Sequence, residues 1–218
     1  MKKKKCPICG SFLDEENELR CSKFPICTYQ ETTDKELNRF VMYDLETSGF
    51  KDSDHIIEIG AIYVEDGKIM DRFDKLCNPG IFINQRITQV TNITNDMLKD
   101  KESEENILKE FIEWVNTKGI DVCVGHNIDA FDNRMLNAAC KKYKQQMPFH
   151  RTLDTLKMAR NLKLKERGLV LDYKQETLAS EYCHFTYTAH RAIQDVEALF
   201  RIFEVLRKEY KQLPIINI

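Results

Sequence analysis

Residues 39–47 read Arg-Phe-Val-Met-Tyr-Asp-Leu-Glu-Thr, an almost unbroken apolar run that ends on two carboxylates, Asp44 and Glu46. A short apolar run of this kind suits a buried strand. Side chains two apart on a strand share a face, so Asp44 and Glu46 point the same way, about 6–7 Å apart along it, and Leu45 points to the other face. The run at 56–64, Ile-Ile-Glu-Ile-Gly-Ala-Ile-Tyr-Val, reads as a second strand and 68–77 as a third. Glu65-Asp66-Gly67 between them carries a hairpin turn signal.

Helical periodicity follows. Residues 103–116 place Ile107, Leu108, Phe111, Ile112 and Val115 on one stripe. Val122-Cys123-Val124 is a short strand ending at Gly125-His126-Asn127. The helix after it, around 129–143, carries Phe131 and Asp132 in its first turn, where the helix dipole favours an acid. Residues 152–162 and 175–183 read as helices. The stretch Arg191–Lys208 is a longer one, with Ala192, Val196, Leu199, Phe200, Phe203 and Leu206 on its apolar side. Asp195 sits inside that helix and His190 at its entrance. The layout of strand, hairpin, then alternating helices and strands gives an α/β sheet covered by helices.

Four carboxylates and an imidazole thus lie in apolar surroundings. Carboxylates gathered in one place repel unless divalent cations neutralise them. Oxygen-rich clusters hold Mg²⁺ or Mn²⁺, and a neighbouring histidine can serve as base for a water. That is the chemistry of metal-assisted phosphodiester hydrolysis.

The segments Asp44-Leu-Glu-Thr47, Gly125-His-Asn127 with Phe131-Asp132, and His190 with Asp195 resemble, in order and separation, the three motifs of the DEDDh (DnaQ-like) 3′–5′ exonucleases, which include the proofreading subunits of bacterial replicative polymerases. The resemblance implies a ribonuclease-H-like mixed sheet flanked by helices, over residues 38–212. It implies that Asp44, Glu46, Asp132 and Asp195 hold two Mg²⁺ or Mn²⁺ ions, that His190 takes the proton from the attacking water, and that nucleoside 5′-monophosphates leave from a 3′ end. Thr47 would bond the terminal nucleotide, Asn127 would lie beside it and Phe131 would pack on its base or sugar. Strand-end capping by Thr47 and plain helix packing by Phe131 are the competing readings. His126 orients its loop on this reading. Ser48 and Asn92 depart from the family pattern, which has a second threonine and a glycine there; Asn tolerates unusual backbone angles.

The first thirty residues differ in kind. Cys6-Pro-Ile-Cys9-Gly10, Cys21 and Cys27 form a four-thiolate set suited to one structural Zn²⁺. A segment so short needs the metal to fold. Cys21-Ser-Lys-Phe-Pro-Ile-Cys27 is similar to the zinc-ribbon repeats of type IA topoisomerases, which implies nucleic-acid binding through Phe24, Tyr29 and nearby lysines. A purely structural ribbon is the alternative. Residues 31–37 read as a short linker. Cys77, Cys123, Cys140 and Cys183 show no ligand spacing and read as small buried groups.

Of 218 residues, 33 are Lys or Arg and 35 Asp or Glu, a net charge of −2, so attraction to nucleic acid must be local. No apolar run approaches the roughly 20 residues of a membrane span. The expectation is a soluble, cytoplasmic enzyme acting on nucleic acid, DNA before RNA, with replication or repair proteins as candidate partners and no membrane association. An RNA-trimming enzyme of the same family and a non-catalytic binding module are the rivals.

Overall fold

The protein is described by a computed structural model that covers Lys5 and residues 10–14, 20–22, 37–210 and 215–217. Three of the four expected zinc ligands, Cys6, Cys9 and Cys27, and residues 31–36 of the expected linker lie outside the described residues. Near the start, β1 (Leu13–Asp14) pairs antiparallel with β2 (Arg20–Cys21), and Cys21 is buried. Leu37, counted in the linker by its polar neighbours, is buried in the main core instead.

The principal sheet has six strands. β3 (Arg39–Thr47), β4 (Ile56–Glu65) and β5 (Lys68–Leu76) form an antiparallel meander, and the β4–β5 turn uses Asp66 and Gly67 at φ 48° and 72°. Helices α1 (Gln85–Thr91), α2 (Asn95–Leu98) and α3 (Glu104–Lys118) lead to β6 (Val122–Gly125). Then come α4 (Asp132–Lys142), β7 (Arg151–Asp154), α5 (Thr155–Asn161), α6 (Gln175–Thr177) running into a π-helical turn at Leu178–Tyr182, α7 (Ala192–Leu206) and β8 (Ile216–Asn217). The order across the sheet is β5-β4-β3-β6-β7-β8, with β3, β6 and β7 parallel. This is the mixed, helix-flanked sheet expected from the sequence. It takes in residues beyond 212, since Ile215 is buried in the core and β8 pairs antiparallel with β7. Among the described residues no helix is long and apolar enough to cross a membrane.

Strand β3 lies inside the sheet and is covered on both faces, which explains why its sequence does not alternate. Phe40 meets Phe203 of α7 edge-on at 5.3 Å, while Tyr43 contacts Phe111 of α3 at 5.8 Å and stacks on Phe149 at 5.4 Å. The even-numbered positions therefore face α7, and Asp44 and Glu46 extend that row to the strand's end. Two close approaches fix the layers. A Cβ at Gly60, the β4 partner of Asp44, would lie 2.3 Å from the backbone of Ala192 and Ile193, so the start of α7 rests against that glycine. Asn92 ends α1 at φ 58°, a left-handed conformation that asparagine tolerates better than most residues.

Two helix expectations are also corrected. Residues 152–162 are not one helix: Arg151–Asp154 is strand β7, and the helix begins only at Thr155. The helix expected around 129–143 starts at Asp132, with Phe131 as its N-cap residue.

Candidate active site

Three elements deliver the acids to one cleft of about 640 Å³. β3 supplies Asp44 and Glu46, the first turn of α4 supplies Asp132, and the first turn of α7 supplies Asp195. Carboxylate oxygens of Asp44, Glu46 and Asp195 lie within 4.8 Å of one another. Asp132 is buried and stands at the same strand end, its Oδ1 accepting the Leu45 N–H at 3.0 Å. Asp195 is held from several sides: Oδ2 accepts the N–H of His190 at 2.7 Å and of Arg191 at 3.1 Å, Oδ1 accepts the Tyr187 hydroxyl at 2.9 Å, and its carbonyl accepts from Gln175 Nε2 at 2.8 Å.

The electrostatics follow from this crowding. Burial, then the charges of Asp195, Glu58 and Asp132, pushes the Glu46 carboxyl up to about 8. Burial raises Asp132 to about 7 against the lowering effect of its backbone hydrogen bonds. Asp44 is held well above the carboxylate range by burial and by Asp132, Glu46 and Asp195. Asp195 is also raised by burial, with the Tyr187 hydroxyl pulling the other way. A set of hard oxygen donors that resists ionising without counter-charge fits divalent Mg²⁺ or Mn²⁺.

His190 stands at φ 70° with about half its side chain exposed, its Nε2 3.8 Å from Glu176 Oε1 and its ring lining the cleft. Asn127 (φ 57°) and Phe131 also line it; the Asn127 N–H donates to Asp154 Oδ1 at 2.9 Å. Thr47 is set apart. Its hydroxyl donates to the Gly49 carbonyl at 2.6 Å, and the side chain is buried away from the cleft lining. His126 bridges elements, its Nδ1 meeting the Thr155 hydroxyl and its Nε2 the Tyr173 carbonyl, both at 2.9 Å; burial holds it down at about 4, a neutral ring.

Several residues at or beside the cleft escaped the sequence reading. Arg160, Lys165 and Lys174 line the cleft, and Lys174 Nζ lies 4.0 Å from Asp172 Oδ2. Phe50, exposed, stands 5.9 Å from Phe131, and Arg134 reaches the Phe50 carbonyl at 2.8 Å. Only Glu58 left a signal, as a lone charge inside an apolar strand.

The profile of the exonuclease family (RNase_T) matches residues 41–203. The chain belongs to that family, a class of metal-dependent nuclease hydrolases. It is 32% identical over 188 residues to the PolC-type DNA polymerase III of Staphylococcus haemolyticus and 32% identical over 179 residues to that of Staphylococcus aureus, matches that cover 85% and 82% of this chain. Each match spans only 12% of the polymerase. Among solved structures, exonuclease X in complex with 5′-overhanging duplex DNA superposes with a TM-score of 0.62 at 24% identity, over 80% of this chain and 95% of that one. The E. coli exonuclease I–ssDNA complex gives 0.69 at 18%, over 79% and 41%. A 3′-exonuclease recognising a histone mRNA stem-loop gives 0.65 at 16%, over 80% and 65%. At these identities the superpositions establish the fold.

Proposed function

We propose that the chain is a two-metal-ion 3′–5′ exonuclease that releases nucleoside 5′-monophosphates from DNA. The observation that carries this reading is the convergence of Asp44, Glu46 and Asp195 within 4.8 Å, beside Asp132 in one open cleft. Two divalent ions held there would polarise the scissile phosphate, activate water and neutralise the departing 3′ oxygen. His190, at the mouth and half exposed, accepts the water's proton at Nε2 after turning from Glu176. Phe131 and Phe50 offer ring faces to the terminal bases, and Asn127 borders the same subsite. Arg160 and Lys165, which line the same cleft as the acids, take the upstream phosphates. DNA is the favoured strand because the relatives named above are DNA polymerases, and this reading adds replication or repair proteins as partners and a cytoplasmic setting.

The four cysteines Cys6, Cys9, Cys21 and Cys27 are assigned one Zn²⁺ in a ribbon that helps hold the strand. Their spacing supports this, together with the antiparallel pairing of β1 and β2, which places Cys21 on β2 opposite Leu13.

The test supplies a 5′-labelled single-stranded DNA and its RNA counterpart with Mg²⁺ to wild type and Asp44→Ala. Stepwise shortening from the 3′ end, absent in the variant and faster on DNA, is the expected result. Faster shortening of RNA makes this an RNA-trimming enzyme. No shortening of either strand, in Mg²⁺ or Mn²⁺, overturns the exonuclease and leaves a binding module.

A further inference from the structure

Glu58 is fully buried, yet no step assigned above uses it. It sits on β4 directly opposite Glu46 on β3, and its carboxylate is filled by donors from the start of α7. Arg191 Nη2 donates to Oε1 at 2.7 Å and Nε at 3.0 Å, while the Ala192 N–H donates to Oε2 at 2.9 Å. A charge buried this deeply is tolerated only when paired and hydrogen-bonded on both oxygens, and the planar guanidinium fork meets that need.

Arg191 is also the joint between two parts of the site. Its own N–H and that of His190 both donate to Asp195 Oδ2, so one residue grips β4 by its side chain and Asp195 by its backbone. The register completes the picture. Asp44 pairs with Gly60, against which Ala192 and Ile193 rest, and Glu46 pairs with Glu58, which holds Arg191. Each β3 acid therefore has, as its direct cross-strand partner, a β4 residue that fixes the beginning of α7.

We propose that Glu58 and Arg191 are positioning residues, a buried latch that holds Asp195 and His190 in register with Asp44 and Glu46 and so sets how tightly the site holds divalent cations. The proposal rests on the exonuclease reading of that site. Neither residue is among those lining the cleft. Glu58 has both oxygens committed to α7, and the Arg191 guanidinium is turned toward β4.

The latch is tested with Glu58→Gln, Arg191→Lys and a control, Glu104→Gln. Glu104 is a second buried carboxylate that ties the start of α3 to β4, accepting the Ile56 N–H at 2.9 Å and the Tyr143 hydroxyl at 2.7 Å, and it does not line the cleft. Binding of Mn²⁺ alone is read from the electron spin resonance of the free ion, melting without metal from circular dichroism, and kcat and KM on the labelled oligonucleotide. Because Arg191→Lys keeps the net charge, its effect on Mn²⁺ reads geometry.

Both latch variants are expected to bind Mn²⁺ about tenfold more weakly or worse, with kcat lowered and KM for the strand unchanged. The control loses melting temperature and keeps wild-type Mn²⁺ affinity. Mn²⁺ affinity at the wild-type level in folded Arg191→Lys overturns the proposal, whether or not Glu58→Gln folds. A wild type that binds Mn²⁺ and cuts neither strand refutes the exonuclease alone, and the latch is then decided by the Mn²⁺ titrations.

Discussion

Removing divalent metal should make this protein progressively less stable as pH rises from 6.5 to 8.5, the reverse of ordinary carboxylate behaviour. Glu46 releases its proton at about 8 in the fold against 4.5 in the open chain, and Asp132 at about 7 against 3.8. A carboxyl raised on folding binds its proton better in the native state. Its stabilising contribution is therefore present at low pH and is lost as pH climbs through the folded value. Over this window Glu46 withdraws about 2 kcal/mol and Asp132 about 1. His126, held at about 4, acts in the opposite sense, since its unfolded form prefers the proton near neutrality; it returns less than about 0.5 kcal/mol above pH 6.5. The net loss is about 2 kcal/mol, and Asp44, held well above the carboxylate range, acts in the same direction. For a chain of this size that corresponds to a melting temperature lower by about 4–8 °C. Urea or thermal unfolding in EDTA across the window measures it, and the same series in millimolar Mg²⁺ should flatten or reverse the slope, because the ions favour the ionised acids. Metal-free stability that is constant or rises from pH 6.5 to 8.5 would show that the acids do not crowd as described.

Gly60→Ala places a methyl 2.3 Å from the backbone of α7 and should cost about 1–3 kcal/mol in urea unfolding while weakening Mn²⁺ binding, because the start of that helix must move off the sheet. Arg160→Ala combined with Lys165→Ala should raise KM for single-stranded DNA with kcat retained, and reduce the slope of log affinity against log salt by about 1.4, about 0.7 for each phosphate no longer neutralised. An unchanged slope removes those two cations from the strand's path.

The parts of this fold that could be read in sequence are those with a strong period or a sharp turn. Strand β3 announced itself through apolar density and the Asp44–Glu46 spacing, the β4–β5 hairpin through Asp66-Gly67, and α7 through its sustained amphipathic pattern. Strand β7 was hidden. It is four residues long, buries the polar Thr152, and passes into α5 without glycine or proline, since Asp154 itself caps the helix by accepting the Leu156 N–H at 2.9 Å. α1 and α2 are short and owe their starts to the caps Asn84 and Thr94 more than to an apolar stripe. The clustered acids were legible because each stands at a predictable strand end or helix start. Tyr187, Arg160 and Lys165 were not. Tyr187 and Lys165 come from irregular segments and Arg160 from the last turn of α5, and only the tertiary path of the chain brings them to the cleft.

The acids are spread along most of the chain, from Asp44 on the first strand of the principal sheet to Asp195 on the last long helix. During synthesis the chain therefore carries an incomplete site until α7 has left the ribosome and docked on Gly60. A half-made copy lacks Asp195 and with it part of the acidic cluster. Folding order thus sets the moment at which the acids first meet, after the sheet has closed.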